Sequence, residues 1–312
     1  MLNLERLRAL QAVSVHGSIN AAADTLHVTT SAVSQQLAKL EREVGEPLLE
    51  RDGRGVRLTD AARLLVAHAL RAMSVLEEAE AELDAHRDAI AGPITIAAFA
   101  TAARGLAPRA LRELRTRHPQ LSITFHEQEP GQSIPGLVRR DVDLIIVNDW
   151  QNAPLALPEG LTKAPLLDDV ADIALPPGHR LARAGAIRLS DLAGQEWIAW
   201  QAGSICHDWL VHTLRKEGHE PRIAHTAAEF ATQLALVAAG LGAAVLPRLG
   251  RDPIPKGVTV VPAEPALRRH VYAAWRSHAT RRQAIKAVVS AFRVAADELT
   301  TTSAKAPRKK RR

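Results

Sequence analysis

The sequence predicts a mixed fold in three parts: a small, mainly α-helical winged helix-turn-helix at residues 1–58, one long helix at 59–90, and an α/β region of two subdomains at 92–299. Three observations carry this reading. Short amphipathic helical patterns followed by a Gly-rich turn fill the first part, no Gly or Pro interrupts residues 59–90, and strand and helix patterns alternate after Gly92-Pro93.

The first helical pattern carries Leu4, Leu7, Leu10 and Val13 on one stripe and ends at Gly17. Ser18 suits the N-cap of a second short helix, Ile19 to Leu26, whose Ala21, Ala22 and Ala23 allow a close helix crossing. Thr29 suits the N-cap of a third helix running to about Glu43, with Val33, Leu37, Leu40 and Val44 facing inward. Its opposite side is polar, with Thr30, Ser31, Ser34, Gln35, Lys39 and Arg42. Two short strand-like pieces then flank the turn residues Asp52-Gly53 and Arg54-Gly55, and this hairpin wing carries Arg51, Arg54 and Arg57.

From Thr59 to Ile90 the residues Ala62, Leu65, Ala69, Ala72, Leu76, Ala79, Leu83, His86 and Ile90 alternate by threes and fours. Such a heptad seam predicts pairing with a second copy of the chain. Farther on, ITIAAF, LSITFHE and VDLIIV read as strands, with a helix from about Thr101 to Arg117 and another near Ile134 to Arg140. A second set of strands is expected near Asp172 to Leu175, Trp197 to Trp200, Arg222 to His225 and Ala243 to Leu246. Helices near Cys206 to Glu217 and Phe230 to Ala239 separate them. VYAAW and a helix from about Arg281 to Leu299 close the fold.

Charge needs to be located before it is used. The net charge of +6 resides in the last eight residues, KAPRKKRR, so residues 1–304 are neutral overall. Bulk charge therefore does not mark the folded part as nucleic-acid binding, and local pattern has to carry that reading. Residues 300–312 are expected to be a disordered basic tail, either a solubilising end or a phosphate-seeking arm.

Composition bounds the compartment and the cofactors. The start, MLNLERLRALQAV, lacks the apolar run of a signal peptide, and no stretch reaches the roughly 20 apolar residues of a membrane span. A lone Cys206 has no partner for an internal bridge, so a reducing, cytoplasmic setting and no membrane association are expected. Thirteen dispersed His show no metal-ligand spacing, and neither a metal nor another cofactor is expected. Cys206 reads as a small apolar residue, with redox sensing as the alternative.

The order of helix, Gly-Ser, short helix, polar-faced helix and hairpin has a chemical rationale. A helix fits the major groove of double-stranded DNA, its exposed N-terminal residues can reach base edges, and a wing can hold phosphates. Thr30, Ser31, Ser34 and Gln35 form the expected reading set, with Lys39, Arg51, Arg54 and Arg57 on the backbone. Each could instead be part of a solvated helix or hairpin face.

The segment AAADTLHVTTSAVSQQLAKLEREVGEPLLERDGRGVRLTDAA resembles the DNA-binding segment of LysR-type transcriptional regulators almost position by position. The resemblance implies that the residues at Thr30, Ser31, Ser34 and Gln35 face DNA and that the wing arginines approach its backbone. Gln35 stands where the family more often has Arg, and Ala62 where it more often has Gly. A Gln favours adenine where an Arg favours guanine, so base preference does not carry over.

The same resemblance implies that residues 92–299 form an effector domain similar to periplasmic solute-binding proteins. Its lobe 1 would span about 92–162 and 268–299, its lobe 2 about 163–267, with a small-molecule effector between them. Thr101 would cap the helix after the first strand and offer its hydroxyl to that effector. By position, Asn148, Gly203, Ser204, His225 and Thr226 could line the other walls, or serve only as ordinary caps and strand ends. A homodimer through the long helix, or a tetramer such as the family often forms, is implied as well. An enzyme is disfavoured because no nucleophile elbow or phosphate loop is present. A transport-type binding protein would lack the first 90 residues.

Overall fold

In the computed structural model the described residues are 2–26, 28–52, 55–85, 90–251 and 253–305. They form two compact units, residues 1–87 and 88–312, and none of their helices is long and apolar enough to cross a membrane.

The first unit begins with α1 (Leu4–His16), α2 (Ile19–Leu26) and α3 (Thr30–Val44). Local chemistry sets each boundary. Asn3 accepts from Glu5 N and Arg6 N, Ser18 accepts from Ala21 N, and Thr29 accepts from Ala32 N. Gly17 closes α1 and Gly45 closes α3, both in the left-handed conformation that glycine tolerates. Leu7, Leu10, Val13, Ala22, Ala23, Val33, Leu37 and Leu40 fill the space between the three helices.

The wing follows as β1 (Leu49–Asp52) paired antiparallel with β2 (Gly55–Leu58), Glu50 opposite Arg57. Then α4 runs from Asp60 to Ala85, about 39 Å at 1.5 Å per residue. Thr59 caps it, accepting from Ala62 N. The expected seam divides along this helix. Ala62, Ala69 and Met73 are buried in the core that α1 to α3 share, whereas Leu76 and Leu83 stay exposed. Small residues let α4 lie close to α1, so the early part of the pattern belongs to the chain's own core. His86 lies outside the described residues.

The second unit is built on a six-stranded sheet ordered β4-β3-β5-β10-β6-β9. Its strands are β3 (Gly92–Ala98), β4 (Leu121–Glu127), β5 (Leu144–Trp150), β6 (Leu161–Leu175), β9 (Ala244–Pro247) and β10 (Thr259–Arg276). β7 (Glu196–Ala199) and β8 (Arg222–Thr226) make a separate parallel pair. The sheet spans two hydrophobic cores because β6 and β10, 15 and 18 residues long, pair with each other across both. One core packs α6 (Ala107–Arg117) and α10 (Gln283–Lys305) on β3, β5 and β10. The other packs α8 (Ile205–Lys216) and α9 (Phe230–Ala238) on β6, β7 and β9.

Several boundaries differ from expectation. β6 and β10 begin well before the strands expected at Asp172 and Val271, and β5 continues through Asn148 to Trp150. Ile90 lies outside α4 and packs on the second unit's core. The single helix expected from Thr101 to Arg117 is two, α5 (Ala100–Gly105) and α6, because Pro108 has no N–H to give to the preceding turn. The helix α7 starts early, at Pro130, and runs to Arg139, since proline is tolerated in a first turn. The tail was expected to be disordered from residue 300, yet α10 continues to Lys305. The first helix breaker after Leu299 is Pro307, and residues 306–312 lie outside the described residues.

Candidate functional site

On α3 the buried Val33, Leu37 and Leu40 fix the helix, and Thr30, Ser31, Ser34, Gln35 and Lys39 are exposed on the other side. The expected reading set therefore shares one solvent face. Ser34 Oγ donates to the Thr30 carbonyl at 2.9 Å, which leaves its lone pairs to accept. Thr29 Oγ1 and Ser31 Oγ lie 3.0 Å apart, holding the first turn's hydroxyls in place.

A residue that sequence reasoning passed over sets the wing against this helix. Glu41 Oε1 accepts from Leu48 N at 2.8 Å and Leu49 N at 3.3 Å, tying the start of β1 to α3. On the wing, Arg57 Nη2 donates to Glu50 Oε2 at 2.8 Å. Both are well exposed, and such a pair is worth at most about 1 kcal/mol, so a phosphate can displace the carboxylate. The Arg51 and Arg54 side chains lie outside what the structure describes.

In the second unit Thr101 is not a helix cap. Phe99 holds that position, and Thr101 lies in the first turn of α5, 2% exposed. Its Oγ1 accepts from Arg269 Nη2 at 2.7 Å, so the hydroxyl faces inward because a buried guanidinium holds it. Arg269 is 1% exposed and also donates from Nε to Asp169 Oδ2 at 2.9 Å. Gly250, with φ +61°, passes so close that a Cβ there would meet the Thr101 carbonyl.

Asn148 lies on β5 two residues before Trp150, on the same face of the strand, and both are buried. Trp150 is the cross-strand neighbour of Arg269, and its ring stacks on Trp209 of α8 with centroids 3.7 Å apart. Asn148 Nδ2 and Trp150 Nε1 make no hydrogen bond of ordinary geometry among the described residues, and the Cys206 thiol is the group on which both act. Both stand beside the enclosed thiol of Cys206, which burial pushes up to about 11. Glu129 carries a carboxyl raised by burial, its Oε1 accepting from Ala100 N at 3.3 Å.

The remaining candidates are placed differently. Ser204 caps α8 by accepting from His207 N at 3.2 Å, and Gly203 N donates to Asp208 Oδ1 at 3.3 Å. His225 and Thr226 lie at the end of β8, and their side chains make no hydrogen bond to the Thr101 and Asn148 group among the described residues. Sequence reasoning singled out Thr101 and Asn148 but not Arg269, Asp169 or Trp150, which the structure places beside them. The detectable signal was an arginine two places before VYAAW, where the strand's own alternation points it inward.

Comparison with known proteins decides the family. Residues 4–63 match the model of the bacterial regulatory helix-turn-helix protein, lysR family, and residues 87–297 match that of the LysR substrate binding domain. The chain belongs to the LysR family. It is a DNA-binding transcriptional regulator with an effector-binding domain. The LysR-type fold also agrees with its relatives. The chain is 29% identical over 302 residues to the DNA-binding transcriptional dual regulator OxyR of Escherichia coli, covering 95% of this chain and 96% of that one. It is 29% identical over 245 residues to a probable RuBisCO transcriptional regulator of Cyanophora paradoxa, covering 78% and 75%. Full-length OxyR from Pseudomonas aeruginosa superposes with a TM-score of 0.69 at 25% identity, covering 94% and 95%.

Proposed function

We propose that this LysR-type regulator reads double-stranded operator DNA with the face of α3 that carries Thr30, Ser31, Ser34 and Gln35, while Lys39 and the wing arginines Arg51, Arg54 and Arg57 engage phosphates. The observation that carries the reading is the division of α3 into a buried apolar stripe and an exposed hydroxyl and amide face. Side chains of that size and polarity suit base edges in a major groove, and Gln35 suits adenine.

The chain acts as a homodimer joined through α4, whose Leu76 and Leu83 lie one heptad apart and exposed. Two copies of α3 then meet two half-sites. A small-molecule effector binds between the lobes beside Thr101 and Asn148 and biases one arrangement of the reading helices by its preference for it. The protein works in the cytoplasm, without a metal or other cofactor and without catalysing a reaction.

Genome-wide mapping of bound DNA tests the reading. Enrichment of a few sites sharing an inverted repeat, with half-sites about one helical turn or a multiple of it apart, is expected. Uniform occupancy would refute it.

A further inference from the structure

We propose that Val28, half exposed at the head of α3, is a further specificity-determining residue that packs on the 5-methyl group of a thymine in the operator's major groove. The proposal deepens the reading of α3 as the DNA-reading helix and rests on it. Two features carry it: what the polar face of α3 lacks, and how Val28 is held.

Thr30, Ser31, Ser34 and Gln35 present hydroxyl and amide groups to solvent. Such groups bond to the donors and acceptors of base edges, and an acceptor such as thymine O4 has its counterpart in guanine O6. What sets thymine apart in the major groove is its methyl group, which apolar surface reads. Among the described residues, Val28 is the exposed large apolar side chain nearest in sequence to this face, 48% exposed. It directly precedes the turn of α3 whose residues reach base edges in a helix-turn-helix.

The chain's own core takes up only half of that side chain. Val28 stands before the N-cap Thr29, a place from which an apolar residue commonly packs on the fourth residue of the helix. That residue, Val33, is 1% exposed within the core of α1 to α3, and Val28 still stays half in water.

The backbone on either side of Val28 is tied down. Val28 N donates to the Ala23 carbonyl at 3.1 Å. Thr29 Oγ1 accepts from Ala32 N and the Thr29 carbonyl from Val33 N, both at 3.2 Å. A β-branched side chain on so fixed a backbone has few rotamers to lose. Contact with a thymine methyl then removes apolar surface from water on both partners at little cost in ordering.

Replacing thymine by deoxyuridine removes the methyl group and leaves every hydrogen-bonding group of the base pair in place. The probe is the duplex most enriched from random-sequence DNA by the full-length chain, with each half-site thymine replaced in turn and binding followed by fluorescence anisotropy. Wild type is expected to bind one deoxyuridine duplex about fourfold more weakly, the factor that burying one methyl-sized group is worth. Val28→Ala, checked for folding by an unchanged affinity for random duplex, should bind the thymine and deoxyuridine duplexes alike. Val28→Ile, which keeps the apolar branch, should retain the discrimination.

If no deoxyuridine weakens wild type, or if Val28→Ala stays as sensitive as wild type, the methyl group is unread or is read by another residue. Either result would overturn the role of Val28 and leave α3 as the reading helix. If wild type enriches no sequence over random duplex, the reading of α3 falls and the proposal falls with it.

Discussion

Arg269 and Thr101, 168 positions apart in the chain, are joined by a 2.7 Å hydrogen bond in which a buried guanidinium donates to a buried hydroxyl. The bond links β10 to α5, and Asp169 on β6 neutralises the cation. Arg269→Ala would leave the buried Asp169 carboxylate without its counter-charge, with Leu249 N still donating to Oδ1, destabilising the second unit by about 3–5 kcal/mol. Arg269→Met with Asp169→Leu should recover most of that loss. Urea unfolding of the two variants checks both expectations.

Trp209 carries one face of the stack on Trp150, and its Nε1 donates to Asn152 Oδ1 at 2.6 Å. Trp209→Ala removes a large buried ring and leaves Asn152 without that donor, so a loss of about 3–5 kcal/mol is expected. Trp209→Phe keeps the stack and should lose clearly less. Thermal denaturation of both variants distinguishes packing from hydrogen bonding.

The wing and the reading helix should respond differently to salt. Arg57→Ala is expected to weaken binding to all duplexes alike and to lower the slope of log affinity against log salt by about one unit. Gln35→Ala should leave the slope nearly unchanged while costing about 1–3 kcal/mol on the operator alone. Fluorescence anisotropy across a salt series measures both.

Dimer formation should depend on the exposed apolar residues of α4. Leu76→Glu with Leu83→Glu places four like charges in a paired seam and is expected to yield a monomer in sedimentation equilibrium. Met73, buried in the first unit's own core, predicts a different outcome. Met73→Ala should lower the unit's melting temperature without changing its mass.

Burial holds the Cys206 thiol at about 11, above the 9.0 of an unburied thiol. The folded state therefore keeps its proton longer than the unfolded chain does. The associated stability is fully present below pH 9.0 and is lost as pH rises toward about 11. Alkylation by iodoacetamide should be slow at neutral pH and quicken about tenfold per pH unit until the thiol ionises. A rate that is fast and flat between pH 6 and 9 would contradict this environment.

The three helices, the wing and the polar face of α3 were legible in the sequence because local rules fix them. Ser18 and Thr29 cap their own helices, Gly17 and Gly45 end theirs, and Val33, Leu37 and Leu40 repeat at helical spacing. The cleft was legible only in part. Asn148 stands out as a polar residue directly after a run of apolar strand residues, although β5 continues past it to Trp150, whereas Arg269 and Asp169 meet across 100 positions. Their strands were hidden as well, since Pro165 and the acids Asp168, Asp169 and Asp172 break up β6, and Pro262 and Pro265 interrupt β10. Paired strands supply partners for those groups, and that pairing is long-range information. Thr101 was found for the wrong local reason, as a cap, when a distant guanidinium holds it.

The most direct measurement compares wild type with the Ser34→Ala, Gln35→Ala double variant on a mapped operator and on random duplex of equal length, at one moderate salt concentration. Wild type should prefer the operator by about 10³-fold or more, and the double variant should lose most of that preference while retaining its affinity for random duplex. An undiminished preference in a correctly folded double variant would show that sequence is read elsewhere than on α3.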